Sequence, residues 1–183
     1  MASKTSDRHV ALLRGINVGG NNIIKMVDLR VAFEAMGFAE VATYIQSGNV
    51  VFSSRPAKKA ALTTKIEAAL GEAFGYASRV VVLTANELAR VVAEAPEFGK
   101  RPSEYRYDVL FVKEPVTPGE ALAQITAKPG VDAVHAGAHA IYFRRLIRRA
   151  TQSRLAKIAQ QPVYKSLTIR NWNTTVKLLG MVS

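Results

Sequence analysis

Hydrophobic and polar positions change period along the first half of the chain, and each change marks a boundary between a strand and a helix. Residues 10–13 are continuously apolar, which predicts a strand over 8–14 that is covered on both faces. From Met26 the pattern becomes helical, because Leu29, Ala32, Phe33 and Met36 fall at i, i+3, i+4 and i+7, which predicts a helix that ends at Gly37. Between the strand and the helix lies a loop rich in Asn and Gly.

Two runs rich in β-forming residues, 41–46 and 49–53, follow this helix, and the Ser47-Gly48 pair between them indicates a hairpin turn. A longer helix begins after Pro56, and a strand over 79–83 comes next. The order strand, helix, strand, strand, helix, strand is that of a split βαβ, or ferredoxin-like, unit.

The second half of the chain repeats this order without a residue-level repeat. Thr84 and Glu87 predict a capped helix that ends before Pro96, and residues 96–106 indicate a linker. A strand over 107–112, a helix after Thr117, a hairpin over 131–145, a helix after Ser153, a strand over 167–170 and a terminal helix follow. We therefore predict an α+β protein with two ferredoxin-like halves, 1–95 and 107–183, the second carrying the C-terminal helix.

Topology brings two distant polar loops together in the first half. The first two strands of a split βαβ unit run in the same direction, because the helix between them returns the chain to its starting end. Loop 14–22 and turn 46–49 are therefore expected at one end of the sheet, where amides, glycines and one arginine suit an anionic or polar ligand. The predicted ligand-binding residues there are Arg14, Asn17, Gly19, Gly20, Gln46, Ser47, Gly48 and Asn49.

A purely structural explanation competes with this one, because Asn and Gly also make tight turns and cap helices. The loop lacks the known phosphate-binding motifs as well. Gly15 and Gly20 have the Walker A spacing, but Asn21-Asn22 stands where Lys-Ser/Thr is required, and no G-x-G-x-x-G is present.

A second candidate cluster precedes the terminal helix. Arg170, Asn171 and Asn173 lie where free backbone N–H groups and the helix dipole favour an anion, and we predict them as ligand-binding residues too. Trp172 is predicted to be a core anchor. If the two halves pack head to tail, this cluster faces loop 14–22 at a domain interface, where pockets are favoured.

The net charge of +11 is unevenly distributed, since nine basic residues and no acidic residue follow Asp132. Such a field attracts polyanions, so nucleic acid is the alternative partner. The strands lack an exposed aromatic set, which argues against a standard RNA-recognition surface. A solvated basic surface is the plainer explanation.

Composition and short motifs limit the cellular compartment and the kinds of site that the sequence allows. The absence of cysteine excludes disulfides and thiol catalysis, and it favours a reducing cytoplasm. No apolar run has the length of a signal peptide core or a membrane span, so we expect a cytoplasmic protein. We also expect a monomer. His135 and His139 flank a turn without a third ligand, so no metal site is predicted. Ser47 lacks a G-x-S-x-G motif, and no pattern fixes a cofactor, so enzymatic activity stays open.

Three stretches, VALLRGINVGGNNIIKM, TYIQSGNVVF and TIRNWNTTVKLLG, together resemble the bacterial family called domain of unknown function 1697. The resemblance covers nearly the whole chain, implies two ferredoxin-like halves and implies no particular activity. The matching positions are Arg14, Gly15, Asn17, Gly19, Gly20, Lys25, Gln46, Ser47, Gly48, Asn49, Arg170, Asn171, Trp172, Asn173 and Thr174. The segment FRRLIRRATQSR departs from the family pattern, which has a Pro/Gly-containing loop there, although Ser153-Arg154-Leu155 is retained.

Three hypotheses follow. The protein binds an anionic or polar small ligand, nucleotide-like or phosphorylated, at the Asn/Gly/Arg-rich loops near the domain interface. Alternatively, it binds nucleic acid through its basic C-terminal third. The third possibility is that the amides only hold the halves together by hydrogen bonds.

Overall fold

The chain forms two compact units, and each is built on one four-stranded antiparallel sheet. The computed structural model describes residues 6–183. Unit 1 holds the chain up to Leu88 together with Leu178–Ser183, and unit 2 holds Ala89–Lys177. The predicted α+β class with two similar halves is confirmed.

Unit 1 has the strand order β2-β3-β1-β4, and every neighbouring pair is antiparallel. Its elements are β1 (Asp7–Leu13), α1 (Met26–Ala35), β2 (Ala39–Tyr44), β3 (Asn49–Ser54), α2 (Lys59–Phe74), β4 (Val80–Thr84) and the beginning of α3 (Ala85–Ala93). This is the strand order of a split βαβ unit. Strands β1 and β2 both pair antiparallel with β3, so they run in the same direction, as predicted.

The core of unit 1 lies between helices α1 and α2 and one face of the sheet. Its fully buried members include Ala11, Leu13, Leu29, Phe33, Val50, Phe52, Ile66 and Leu70. His9 is buried in the same sheet and stacks on Phe52, with ring centroids 5.4 Å apart. Val10, Leu12 and Val51 point to the opposite face and are also buried. Strand β1 is therefore covered on both faces, as its unbroken apolar run predicted.

Predicted helix boundaries correspond to specific local interactions. Gly75 ends α2 in the left-handed region, with φ of 65°, and its N–H donates to the carbonyl of Gly71. Thr84 and Glu87 form the predicted capping box at α3, because each side chain accepts a hydrogen bond from the backbone N–H of the other.

Unit 2 repeats the topology with the strand order β6-β7-β5-β8. Its elements are the end of α3, β5 (Tyr105–Val112), α4 (Pro118–Leu122), β6 (Asp132–Ala136), β7 (Ala140–Leu146), β8 (Leu167–Asn171) and the beginning of α5 (Trp172–Val182). Thr117 and Glu120 form the predicted capping box of α4.

The helix predicted after Ser153 is wrong in type. Between β7 and β8 the chain forms three consecutive 3-10 helices, Ile147–Gln152, Leu155–Gln160 and Pro162–Ser166. Pro162 has no N–H and cannot continue an α-helix from the preceding turn. Ile158 and Val163 alone among the residues of these turns are buried, so too little apolar surface is available to fix a longer helix.

The predicted linker 96–106 is largely exposed but contacts the rest of unit 2 through Phe98. The Phe98 ring lies 4.9 Å from the Tyr107 ring and 5.5 Å from the rings of both Tyr142 and Trp172. Strand β5 also begins at Tyr105, inside the predicted linker. The boundary between the two compact units lies at Leu88 and Ala89, and Leu178–Ser183 belong to unit 1.

Candidate functional site

Asn17 joins the two predicted loops of unit 1. Its Nδ2 donates to the carbonyl oxygens of Ile24 and Gln46, both at 2.9 Å, and its Oδ1 accepts from the Ile24 N–H at 2.8 Å. The bond to Gln46 crosses between the two loops, and the Leu13 N–H, at the end of the first strand, also donates to the carbonyl of Gly48 at 2.8 Å. The predicted meeting of loop 14–22 and turn 46–49 at one end of the sheet is therefore confirmed.

Loop 14–22 has an unusual backbone that its composition explains. Five of its residues, Gly15, Asn17, Gly19, Gly20 and Asn22, have positive φ between 47° and 76°. Glycine adopts this region freely and Asn does so at low cost, whereas most residues do not. The Asn22 Nδ2 donates to the Gly15 carbonyl at 2.9 Å, which closes the loop on itself. Much of the Asn and Gly content thus serves to hold one loop conformation.

The residues of the hairpin turn between β2 and β3 also make hydrogen bonds and packing contacts that hold the turn itself. Asn49 is fully buried, and its Nδ2 donates to the Tyr44 carbonyl and to the Ser47 Oγ, both at 2.9 Å. Gly48 has φ of 78°, and a Cβ there would lie 2.8 Å from both the Ile16 Cδ1 and the Leu13 Cβ. Asn49 and Gly48 therefore stabilise the turn, and both residues are buried.

Other groups at this end of unit 1 remain accessible. Gly19, Gly20, Asn21 and Gln46 are exposed. Three cations accompany them: half-buried Arg14, exposed Lys25 and exposed Arg79, whose carbonyl accepts from the Arg14 N–H at 2.9 Å. Segments 14–25 and 45–49 contain no acidic residue. We call this set of accessible polar groups and cations the loop end of unit 1.

Sequence reasoning missed the apolar side chains around the loop end. Val18, Ile23 and Ile45 are 64%, 77% and 48% exposed, and Val27 and Val31 of α1 are exposed as well. The available signal was helical spacing, because Val27 and Val31 are four residues apart and lie outside the stripe that contains Leu29 and Phe33. A molecule bound at the loop end would therefore also meet exposed apolar surface.

The residues predicted before the terminal helix belong to unit 2 and have different roles. The Asn171 Oδ1 accepts from the Thr174 N–H at 2.8 Å, so Asn171 caps α5. Arg170 is buried, its Nη1 donates to the Ile169 carbonyl at 2.9 Å, and burial lowers its pKa to about 10. Asn173 is exposed on the first turn of α5. Trp172 packs edge-on against Phe98, as expected of an anchor.

Metal-binding and membrane-spanning features are both missing from residues 6–183. These residues contain no group of three His, Asp or Glu side chains placed to share a metal ion. In the same part of the chain, no helix combines the length and apolar character needed to cross a membrane.

Comparison with known proteins assigns a family to this two-unit α+β architecture. The family model described as protein of unknown function, DUF1697, matches residues 7–142. The chain belongs to this family. Both loops of the loop end lie inside the matched range, whereas the motif around Trp172 lies beyond it.

A solved structure extends the similarity to nearly the whole chain. The conserved bacterial protein SP0830 from Streptococcus pneumoniae is 26% identical, with a TM-score of 0.85 over 98% of this chain and all of that one. The architecture of both units is therefore shared with that protein. Among proteins of curated function, none matches this chain.

Proposed function

We propose that the protein binds a small anionic ligand, nucleotide-like or phosphorylated, at the loop end of unit 1. The observation that carries the proposal is the Asn17 clamp. One of its side-chain hydrogen bonds holds loop 14–22 against turn 46–49 through the Gln46 carbonyl, and two more hold the loop to Ile24, so the accessible groups are positioned before any ligand arrives. A site that is ordered in advance loses less conformational entropy on binding.

The proposed roles differ within the predicted set. Asn17, Gly48 and Asn49 support the loops, because their side chains or backbone are committed to intramolecular contacts. Arg14 and Lys25 supply positive charge in segments without a carboxylate, and the backbone at Gly19 and Gly20 allows a close approach. Exposed Val18 and Ile23 favour a ligand that also carries an apolar portion, such as a nucleobase.

The test is calorimetric titration with inorganic phosphate, AMP and ATP on the full chain. Arg14→Gln removes one charge at the loop end, and Arg55→Gln removes one exposed charge just after β3, at the opposite end of the sheet. We expect at least one probe to bind, with affinity lowered about tenfold by Arg14→Gln, on the order of one charge-assisted hydrogen bond. We expect no change with Arg55→Gln.

Two results would contradict the proposal. Equal losses in the two variants would show that only net charge matters, and the absence of binding by every probe would remove the site. Asn17→Ala is unsuitable as the deciding variant, because it also releases the loop that carries the cations.

Nucleic-acid binding is the second candidate, and one observation favours it. The three 3-10 helices of unit 2 carry exposed Arg148, Arg149, Lys157 and Lys165, and segment 147–166 contains no acidic residue. The central strands argue against an RNA-recognition sheet, because Phe52, Phe111 and Phe143 are fully buried. Binding would therefore use this segment alone.

Salt dependence tests the second candidate. A labelled single-stranded oligonucleotide should bind with affinity that falls steeply between 50 and 200 mM salt, on the order of tenfold or more if several phosphates are contacted. Replacing Arg148 and Arg149 by Gln should reduce both the affinity and the salt slope. Affinity that does not vary with salt would exclude this function.

A further inference from the structure

Unit 2 contains a cavity of about 290 Å³ that neither candidate function uses. We call it the aromatic cleft, and it is lined by Pro96, Glu97, Phe98, His135, Tyr142 and Arg144 together with Ala133 and Val134. Its floor is part of the β6–β7 sheet surface. His135 pairs with Tyr142 and Ala133 pairs with Arg144, and residues two apart share a face, so these four side chains point to the same side.

The aromatic side chains that line the cleft are held in place by contacts with neighbouring residues of unit 2. Tyr142 is fully buried, and its hydroxyl donates to the Val91 carbonyl at 2.7 Å. The Phe98 ring meets the Tyr142 ring edge-on and is held from behind by Trp172. The His135 ring lies over the Tyr142 ring at an interplanar angle of 23°, with centroids 6.3 Å apart. Three aromatic rings are therefore in place before a ligand enters.

One cation borders this aromatic surface. The guanidinium of Arg144 lies 4.5 Å over the Tyr105 ring, and Arg101 lies 4.9 Å over the same ring. When a guanidinium stacks flat on an aromatic ring, its N–H groups point outward in its own plane. There a carboxylate can accept hydrogen bonds from two of them. Within residues 6–183, Arg144 has no carboxylate oxygen within 4.0 Å.

The neighbouring carboxylates have closer hydrogen-bonding or ion-pair partners than Arg144. Glu97 pairs with Lys100 at 2.7 Å, and this contact holds the pKa of Glu97 below its usual value. Arg101 pairs with Glu104 at 3.3 Å, and the Glu94 carboxylate accepts from the Ala138 N–H. Arg144 adds to the positive field on Glu97 but forms no close ion pair, in the part of the chain that the structure describes.

We infer that the aromatic cleft binds a free aromatic carboxylic acid, with its ring against Phe98 and His135 and its carboxylate on Arg144. Size agrees with this ligand class. An apolar cavity of roughly 150 Å³ accepts benzene, so about twice that volume accommodates one or two fused rings and a carboxylate. A methylated ammonium is the other ligand known for aromatic walls, but the positive charge of Arg144 disfavours a cation, and the Glu97 carboxylate is paired with Lys100.

The test compares three probes that share one ring system: indole-3-acetate, indole and tryptamine. Binding is followed by titration in amide-resolved NMR, with choline as a second cationic probe. We expect the carboxylate to bind most tightly, indole more weakly and the two cations weakest. Arg144→Gln should weaken indole-3-acetate about tenfold and leave indole nearly unchanged.

Three further variants separate binding in the cleft from general effects. Ala133→Phe places a ring in the cleft from an exposed position, so it should abolish binding of both indole and its acid while the protein stays folded. Arg148→Gln removes one exposed charge outside the cleft and should change nothing. Arg14→Gln should likewise have no effect, so this inference and the proposed function fail independently.

Several outcomes would overturn the inference. Tighter binding of tryptamine or choline than of the acid would assign the cleft to a cation. Unchanged binding in Ala133→Phe would place the ligand elsewhere, and the absence of binding by all four probes would leave the cleft as solvent-filled space between rings.

Discussion

The two hairpin turns occupy equivalent positions in the two units but are built differently. In unit 1, Gly48 has φ of 78° and lies against the Cβ of Leu13 and the side chain of Ile16. In unit 2, Gly137 lies outside the left-handed region, and the nearest obstacle to a Cβ there is the Tyr142 ring at 2.7 Å. The same topology is therefore closed by a turn that requires a left-handed glycine in one unit and by a turn that does not require one in the other.

The loops that follow the first strand of each unit differ in length. Unit 1 places twelve residues, 14–25, between β1 and α1, whereas unit 2 places five, 113–117, between β5 and α4. The longer loop needs Asn17 to hold it, and the shorter one passes directly into the Thr117 capping box. Unit 1 thus has an ordered polar loop end, and unit 2 has its accessible cavity on the sheet surface instead.

The largest expected effect comes from Gly48→Ala. The left-handed backbone costs about 1–2 kcal/mol for a residue with a Cβ, and the 2.8 Å contacts add about 1–3 kcal/mol of overpacking. We expect a loss of about 3 kcal/mol in the free energy of unfolding, measured by urea denaturation. Gly137→Ala should cost less, because Gly137 lies outside the left-handed region and the backbone cost does not arise there.

Gly15→Ala separates the two contributions at Gly48. Gly15 has φ of 74°, and a Cβ added to it would meet no atom within 4 Å, so its substitution measures the backbone cost alone. Far-UV circular dichroism follows the whole chain, whereas the single Trp172, in unit 2, follows its own surroundings. A loss in Gly137→Ala as large as in Gly48→Ala would contradict the proposed difference between the turns.

Asn17→Gly should have the next largest effect. It removes three side-chain hydrogen bonds and leaves the positive φ unstrained, so we expect a loss of about 2–3 kcal/mol in unfolding free energy. Asn22→Gly removes one exposed side-chain bond and should cost under about 1 kcal/mol. Similar losses in the two variants would mean that the clamp is not centred on Asn17.

His9, which stacks on an aromatic ring in unit 1, makes the stability of the fold depend on pH. His9 is buried against Phe52, and desolvation lowers its pKa below 6.5, so it stays neutral in the fold. The unfolded chain binds the proton first as pH falls, so stability is full above about pH 6.5 and declines below it. Nearby Asp7 and Glu87 oppose this shift without reversing it.

His9→Gln should remove part of this decline. The expected result is a smaller difference in unfolding free energy between pH 7.5 and pH 5 than in the parent protein, by less than about 1.4 kcal/mol per pH unit for one proton. The measurement is urea denaturation at both pH values. An unchanged difference would show that other groups produce the acid sensitivity.

Sequence reasoning succeeded where the signal is local. The unbroken apolar run of β1, the periodic stripe of α1 and the capping boxes at Thr84 and Thr117 each depend on neighbours within a few residues. The direction of β1 and β2 followed from topology alone, and with it the meeting of the two loops.

It failed where the deciding partner is distant in the chain. Residues 96–106 have the composition of a linker, and only the rings of Tyr142 and Trp172 reveal that Phe98 is packed. The role of Asn17 was missed for a related reason, because its partners are the carbonyls of Ile24 and Gln46, which no side-chain pattern identifies. The 3-10 helices replaced an α-helix because little apolar surface there is buried.

Asn171 provides the smallest and most direct contrast with Asn17. Its Oδ1 caps α5 through one hydrogen bond to the Thr174 N–H, so Asn171→Ala should cost about 1 kcal/mol, a downward shift of about 2–4 °C in Tm for a chain of this size. Asn171→Ser retains an N-cap acceptor and should restore most of that stability. Asn173→Ala, on the exposed first turn, should leave Tm nearly unchanged. If Asn173→Ala lowered Tm as much as Asn171→Ala, the capping interaction would not explain the amide before the terminal helix.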